Sequence, residues 1–119
     1  MNSVLELALL EMYEKQLRQL GYEVTCSSNP EEVLELFRTD PLKFDLVITD
    51  LTMPNMNGIE LAKELGSIRP GLPIILCSGV SQVVSDSVTK QAGIQTVIYK
   101  PIRRPEIAQA IRKALDQKP

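Results

Sequence analysis

Short apolar runs alternate with segments of helical periodicity along most of the chain. Residues 44–50, Phe-Asp-Leu-Val-Ile-Thr-Asp, have a continuous apolar centre, which is typical of a parallel strand covered on both faces. Residues 72–77 and 96–99 predict two later strands, and the short alternation at 22–26 predicts an earlier one. Because helical segments separate these strands, the pattern indicates an α/β fold with a parallel sheet and right-handed crossovers.

The helical segments carry recognisable start and stop signals. The first ends at Gly21, and one of its faces is apolar: Leu10, Tyr13, Leu17 and Leu20. The second opens with Asn29 as a cap and Pro30 in its first turn, and it stops before Asp40. Three more helices are predicted: one around Leu61, Ala62 and Leu65, one over 82–92 and one over 105–117.

Composition places the chain among ordinary globular proteins. Its 119 residues predict one domain over 1–119, with hydrophobic content of 44%. The apolar opening, residues 4–10, is too short to span a bilayer and has no secretory flank, so a cytoplasmic location without a membrane segment is expected. There is no histidine, and Cys26 and Cys77 lie far apart, which excludes the common zinc patterns. We expect both thiols to be buried in the core, with a disulfide or a reactive thiol as the alternative.

Charge is unevenly distributed along the chain. Residues 1–60 carry 11 acids and 4 bases, whereas residues 61–119 carry 4 acids and 9 bases. Such asymmetry indicates either two faces with different partners or helix surfaces that simply differ in charge.

Three residues suited to phosphoryl chemistry follow successive predicted strands. Asp50, Ser78 and Lys100 each lie at the carboxyl end of a strand, where parallel sheets bind their ligands. If the strands are neighbours, these side chains lie about 5–10 Å apart. An aspartate carboxylate can form an acyl phosphate, while a hydroxyl and an ammonium group hold phosphoryl oxygens. The set predicts a phosphoryl-accepting site.

Each member of this set also has an ordinary structural interpretation. Asp50 can cap a turn, Ser78 and Gly79 can form a turn pair, and Lys100 can be a surface lysine before Pro101. Their joint placement at three strand ends favours the functional interpretation. A proline at this point, with a cis bond, would also fix the turn that aims Lys100 at the site.

Three stretches resemble the receiver domains of two-component response regulators. They are residues 44–54 with Gly58, residues 73–79, and residues 99–101. The resemblance covers nearly the whole chain in family order, and the residues around Asp50 and Ser78 are most similar to receivers of hybrid sensor histidine kinases. It implies a flavodoxin-like three-layer fold with a parallel sheet in the strand order 2-1-3-4-5.

The resemblance also implies roles and partners. Asp50 matches the phosphoacceptor, Ser78 the switch hydroxyl and Lys100 the phosphate-contacting lysine. Thr52 matches the residue whose backbone carbonyl binds Mg²⁺, which Asp50 also binds. The expected phosphodonor is a histidine kinase or a histidine phosphotransfer protein.

The start of the chain departs from this family. Receivers begin with a buried strand that ends in two acids, and counting back from Gly21 places that pair at Val4 and Leu5. Neither can bind a metal, so Glu6 is left as a weak candidate ligand. We therefore expect the first strand to be missing or degenerate, and both Mg²⁺ binding and Asp50 phosphorylation to be impaired.

Two functional hypotheses follow. The first is a phosphoacceptor signalling domain, with weak self-phosphorylation or autodephosphorylation left open. The second is a phosphorylation-independent interaction module derived from a receiver, which forms a homodimer to complete its sheet. An enzyme or nucleotide binder is disfavoured, since glycine-rich nucleotide motifs and histidine are absent. The bases from Lys90 onward indicate a protein-docking face rather than nucleic-acid binding, or favourable charges at the end of the last helix.

Overall fold

The computed structural model describes residues 2–7, 11–53, 55–79 and 84–116. Strands and helices alternate along these residues. The strands are β1 (Ser3–Leu7), β2 (Glu23–Ser27), β3 (Leu46–Asp50), β4 (Ile74–Ser78) and β5 (Thr96–Tyr99). The helices are α1 (Glu11–Gln19), α2 (Pro30–Thr39), α3 (Gly58–Ile68), α4 (Asp86–Gln91) and α5 (Arg104–Asp116).

The five strands form one parallel sheet in the order β2-β1-β3-β4-β5. This confirms the flavodoxin-like architecture. Buried side chains fill both faces of the sheet. One apolar cluster packs beneath α2 and α3, and the other packs beneath α1 and α5. No helix among the described residues combines the length and apolar character needed to cross a membrane.

The expectation of a missing first strand is wrong. β1 lies between β2 and β3, with Val4 opposite both Val24 and Leu46. Its start is anchored because the Ser3 backbone N–H donates to Asp45 Oδ2 at 2.8 Å. Since β1 occupies the position between β2 and β3, there is no gap in the sheet for a second copy to fill.

The position of β1 along the chain differs from the expected one. Counting back from Gly21 placed the end of the first strand at Val4 and Leu5, whereas β1 continues to Leu7. Val4 and Leu5 are fully buried inside that strand on opposite faces, so neither stands at its metal-facing end. The predicted helix start at residues 8–10 falls outside the described residues.

Local sequence signals account for the better-predicted helices. The Asn29 side chain accepts a hydrogen bond from Glu31 N, and Pro30 opens α2 as expected. Asn57 and Glu60 form a reciprocal capping box at the start of α3. Leu20 departs from its prediction, because α1 ends at Gln19 and leaves the leucine side chain 38% exposed.

The two cysteines have different environments, and neither forms a disulfide. Cys77 is buried in β4, as expected for a central strand. Cys26 is exposed, so the prediction that both thiols are buried is wrong for this residue. The cause is its place near the end of β2, an edge strand that has a neighbour on one side.

Candidate functional site at the strand ends

Asp50 and Lys100 meet at the carboxyl edge of the sheet. Asp50 is the last residue of β3, and Lys100 directly follows β5, two strands away. The Lys100 ammonium Nζ lies 2.9 Å from Asp50 Oδ2. The side chains are 14% exposed for Asp50 and 35% for Lys100, so the pair is partly sheltered yet open to a reactant. The predicted convergence of carboxylate and ammonium is present.

Ser78 completes the strand-end set from β4, the strand between the other two. Its side chain is buried, and its hydroxyl lies 3.4 Å from the Gly79 carbonyl oxygen. Lys100 N–H donates to the Ser78 carbonyl at 2.8 Å, which fixes the lysine backbone beside the serine. The Lys100–Pro101 peptide bond is cis. The three predicted residues are thus grouped by neighbouring strands and backbone hydrogen bonds.

The backbone around Asp50 is held by the start of α3. Leu51 N–H donates to the Cys77 carbonyl at 2.8 Å, and its own carbonyl accepts from Gly58 N–H at 2.8 Å. A Cβ atom at Gly58 would lie 2.5 Å from the Asp50 carbonyl oxygen and 2.6 Å from Leu76 Cδ1. Gly58 therefore fixes the position of the turn that follows Asp50. Gly58 belongs to the sequence motif, but periodicity and spacing give no sign of this close approach.

Thr49 also contacts this turn, and the sequence did not single it out. Its buried hydroxyl donates to the Asp50 carbonyl at 3.0 Å and lies 3.6 Å from Met53 Sδ. The hydroxyl therefore stabilises the turn after Asp50 from the side of the sheet that α3 covers. Thr52, the expected carbonyl ligand for Mg²⁺, is exposed in the loop that follows.

Tyr99 connects this site to the start of α4. It pairs with Ser78 across β4 and β5, and its hydroxyl accepts a hydrogen bond from Val84 N at 3.3 Å. The ring therefore ties the end of β5 to the segment that leads into α4.

The residues described do not provide the carboxylate set that Mg²⁺ uses in the family. Within the described ranges, no three acidic, cysteine or histidine side chains converge as possible metal ligands. Glu6 lies inside β1 opposite Ile48, two residues short of the Asp50 level of the sheet. Mg²⁺ needs about six oxygen ligands in near-octahedral order. Asp50 and one loop carbonyl would supply two of these ligands, so water or phosphate oxygens would have to supply the rest.

Glu6 has an unusual environment for a glutamate. It is 2% exposed, and within the described structure its Oε2 atom has no hydrogen-bond partner. Burial raises its pKa to about 7, the nearby Glu14 carboxylate adds to the rise, and Arg18 opposes it. Val4 shares its sheet face and packs with Tyr13 on α1. This acid is buried beneath α1 rather than aimed at the strand-end site.

Comparisons with known proteins agree with this architecture. The profile of the response regulator receiver domain matches residues 6–112. Chemotaxis protein CheY of Thermotoga maritima is 35% identical over 103 residues, which cover 86% of this chain and 84% of CheY. A receiver domain protein from Clostridium thermocellum has a similar structure, with a TM-score of 0.90, 24% identity, and coverage of 99% of this chain and 97% of that one.

Other relatives are much longer. The transcriptional regulatory protein GlrR of Escherichia coli is 31% identical over 109 residues, which cover 92% of this chain but 24% of GlrR. The chain thus spans about a quarter of that relative's length. The profile match, the CheY similarity and the strand-end aspartate and lysine lead to one conclusion: this chain belongs to the response regulator receiver domain family.

Proposed function

We propose that this domain receives a phosphoryl group on Asp50 in a two-component phosphorelay. The observation that carries the proposal is the 2.9 Å contact between Lys100 Nζ and Asp50 Oδ2 at the carboxyl edge of the sheet. The donor is the phosphohistidine of a histidine kinase or histidine phosphotransfer protein, as the family membership supports. A cytoplasmic location and a closer relationship to receivers of hybrid sensor kinases are part of the same proposal.

The chemistry assigns a distinct role to each side chain. An Asp50 carboxylate oxygen attacks phosphorus, an O–P bond forms, and the P–N bond to the donor histidine breaks. The departing imidazole nitrogen takes the electron pair and is protonated from solvent. Lys100 then neutralises charge on the transferred phosphoryl oxygens, and the Ser78 hydroxyl donates to another of them.

We further propose that this transfer is slow in the chain as it stands. The next three residues of the sequence after β1 are Ala8, Leu9 and Leu10, and none of them is acidic. A metal held by several carboxylates would neutralise the repulsion between the Asp50 carboxylate and the incoming phosphoryl group. Lys100 alone supplies one positive charge for that purpose.

Incubation with acetyl phosphate and Mg²⁺, followed by intact-protein mass spectrometry, tests both parts. Phosphorylation is expected to be substoichiometric and confined to Asp50. Asp50→Asn is expected to abolish the modification, whereas the matched change Asp40→Asn, at an exposed position that ends α2, leaves it unchanged. Rapid stoichiometric modification of Asp50 would contradict slow transfer, and modification that persists in Asp50→Asn would overturn the acceptor assignment.

Restoring acids after β1 provides a complementary test. The double change Ala8→Asp with Leu9→Asp adds two acids directly after β1 in the sequence, and β1 neighbours β3 in the sheet. The phosphorylation rate is expected to rise at least about tenfold and to become dependent on Mg²⁺. A titration of Mg²⁺ against rate, run beside Ala8→Asn with Leu9→Asn, measures this. Equal rates in the acidic and amide pairs would show that missing acids do not limit the transfer.

A further inference from the structure

An open groove runs between the end of α1 and the outer surface of α5. Its volume is about 590 Å³, and its walls are formed chiefly by Leu20, Tyr22, Ala108, Arg112, Lys113 and Asp116. Tyr22 directly precedes β2, so the groove lies toward the amino ends of the strands. Asp50 and Lys100 lie at the opposite, carboxyl edge. The groove is therefore separate from the phosphoryl site.

Leu20 forms the apolar floor of this groove with Tyr22 and Ala108. The leucine side chain is 38% exposed although the first helix's apolar pattern includes it. Its backbone is ordered by the helix end, since Leu20 N–H donates to the Gln16 carbonyl at 3.1 Å. A single exposed leucine is common on protein surfaces. Here, however, the leucine lies in a concavity with a tyrosine, which is typical of a docking surface.

Positive charge flanks the apolar floor along α5. Arg104, Ala108 and Arg112 recur every fourth residue and so share one stripe of the helix. The two arginines are about 12 Å apart along its axis. Arg104 also donates to the Gln19 side chain, which places the start of this stripe beside α1. Lys113 adds a further exposed cation, and Asp116 is the acid among the lining residues.

We propose that this groove docks an acidic helix of a partner protein, with an apolar side chain seated between Leu20 and Ala108. Charge complementarity selects the occupant, because the groove lining presents two cations, Arg112 and Lys113, against one acid, Asp116. A second copy of this chain fits poorly. A twofold contact through the same surface would bring Arg112 and Lys113 toward their own counterparts.

Titration of the ¹⁵N-labelled chain with synthetic peptides tests the proposal. The probe is an alanine-based helix of about 18 residues, with leucines three and four positions apart and glutamates beside them. Amide signals of Leu20, Tyr22 and Ala108 are expected to shift on binding, and the affinity is expected to fall as salt rises. A matched peptide with lysine for each glutamate is expected to leave these signals in place.

Two leucine variants locate the binding surface. Leu20→Gln is expected to weaken peptide affinity at least about tenfold, since the floor of the groove loses its main apolar contact. Leu42→Gln changes a leucine that is 76% exposed and absent from the groove lining, and the affinity is expected to stay the same. Equal affinity of both variants would overturn the proposal.

Other results would also overturn it. Binding of the lysine peptide as tightly as the glutamate peptide would show that charge does not select the occupant. Shifts that map around Asp50 instead would place docking at the phosphoryl edge. Concentration-dependent dimerisation of the unliganded chain, removed by Leu20→Gln in analytical ultracentrifugation, would assign the groove to a second copy.

Discussion

Glu6→Gln is expected to remove most of the pH dependence of this domain's stability between pH 4.5 and 8. Glu6 is buried in β1, its Oε2 atom has no hydrogen-bond partner in the described structure, and its folded-state pKa is about 7. The ordinary value is 4.5, so folding favours the protonated carboxyl group. This pKa difference means that the domain is about 3 kcal/mol more stable with Glu6 protonated than with Glu6 ionised.

The sign of the effect follows from the raised pKa. Below pH 4.5 the carboxyl is protonated in both states, and Glu6 imposes no ionic penalty on folding. As pH rises from 4.5 to 7, the unfolded chain loses its proton while the folded chain retains it, so the free energy of unfolding falls. Above pH 7 both states are ionised, and the loss stays constant at about 3 kcal/mol.

Urea denaturation of the wild type and Glu6→Gln at several pH values measures this difference. The stability of Glu6→Gln relative to wild type is expected to increase by about 3 kcal/mol from pH 4.5 to pH 8. Glu32→Gln, a change at an exposed glutamate on α2, is the matched control and should track the wild type. If the free energy of unfolding changed with pH in the same way for Glu6→Gln and wild type, Glu6 would not be a buried carboxyl group that binds a proton on folding.

Most of the fold could be predicted because its signals are local. The apolar run at β3, the Asn29 cap and the alternation of elements each depend on a few neighbouring residues, and all reappear in the structure. β1 could not be predicted in this way. Its fourth residue is Glu6, a charged residue type in a strand buried on both sides, and the place of β1 depends on pairing with β2 and β3. Such pairing is a tertiary property that overrides local propensity.

The candidate site likewise has features that the sequence could predict and features that depend on the tertiary structure. Asp50, Ser78 and Lys100 were predictable because strand ends of a parallel sheet meet at one edge, and the structure brings Lys100 within 2.9 Å of Asp50. The supporting contacts were not predictable. The approach of Gly58 to the Asp50 carbonyl depends on the path of the whole loop between β3 and α3. No spacing rule reports that distance.

Gly58→Ala is expected to destabilise the domain by about 2–3 kcal/mol, because the added methyl group has no room. Its Cβ would lie 2.5 Å from the Asp50 carbonyl oxygen, which is backbone, and 2.6 Å from a Leu76 methyl group. The leucine can shift, but the carbonyl moves only with the Asp50 turn. We therefore expect the Asp50 and Lys100 amide signals to shift in ¹⁵N spectra along with the loss of stability.

Gly66→Ala is the matched control, since both glycines lie in α3. A Cβ at Gly66 meets no atom within 4 Å, so alanine there is expected to stabilise the helix by about 0.5–1 kcal/mol. Urea denaturation measures both effects, provided that the dependence of the free energy of unfolding on urea concentration has the same slope in each variant. If Gly58→Ala were neutral or stabilising like Gly66→Ala, the close approach would not constrain the turn that follows Asp50. A lower free energy of unfolding for Gly58→Ala and a higher one for Gly66→Ala would separate the steric cost at Gly58 from the general effect of replacing a helical glycine.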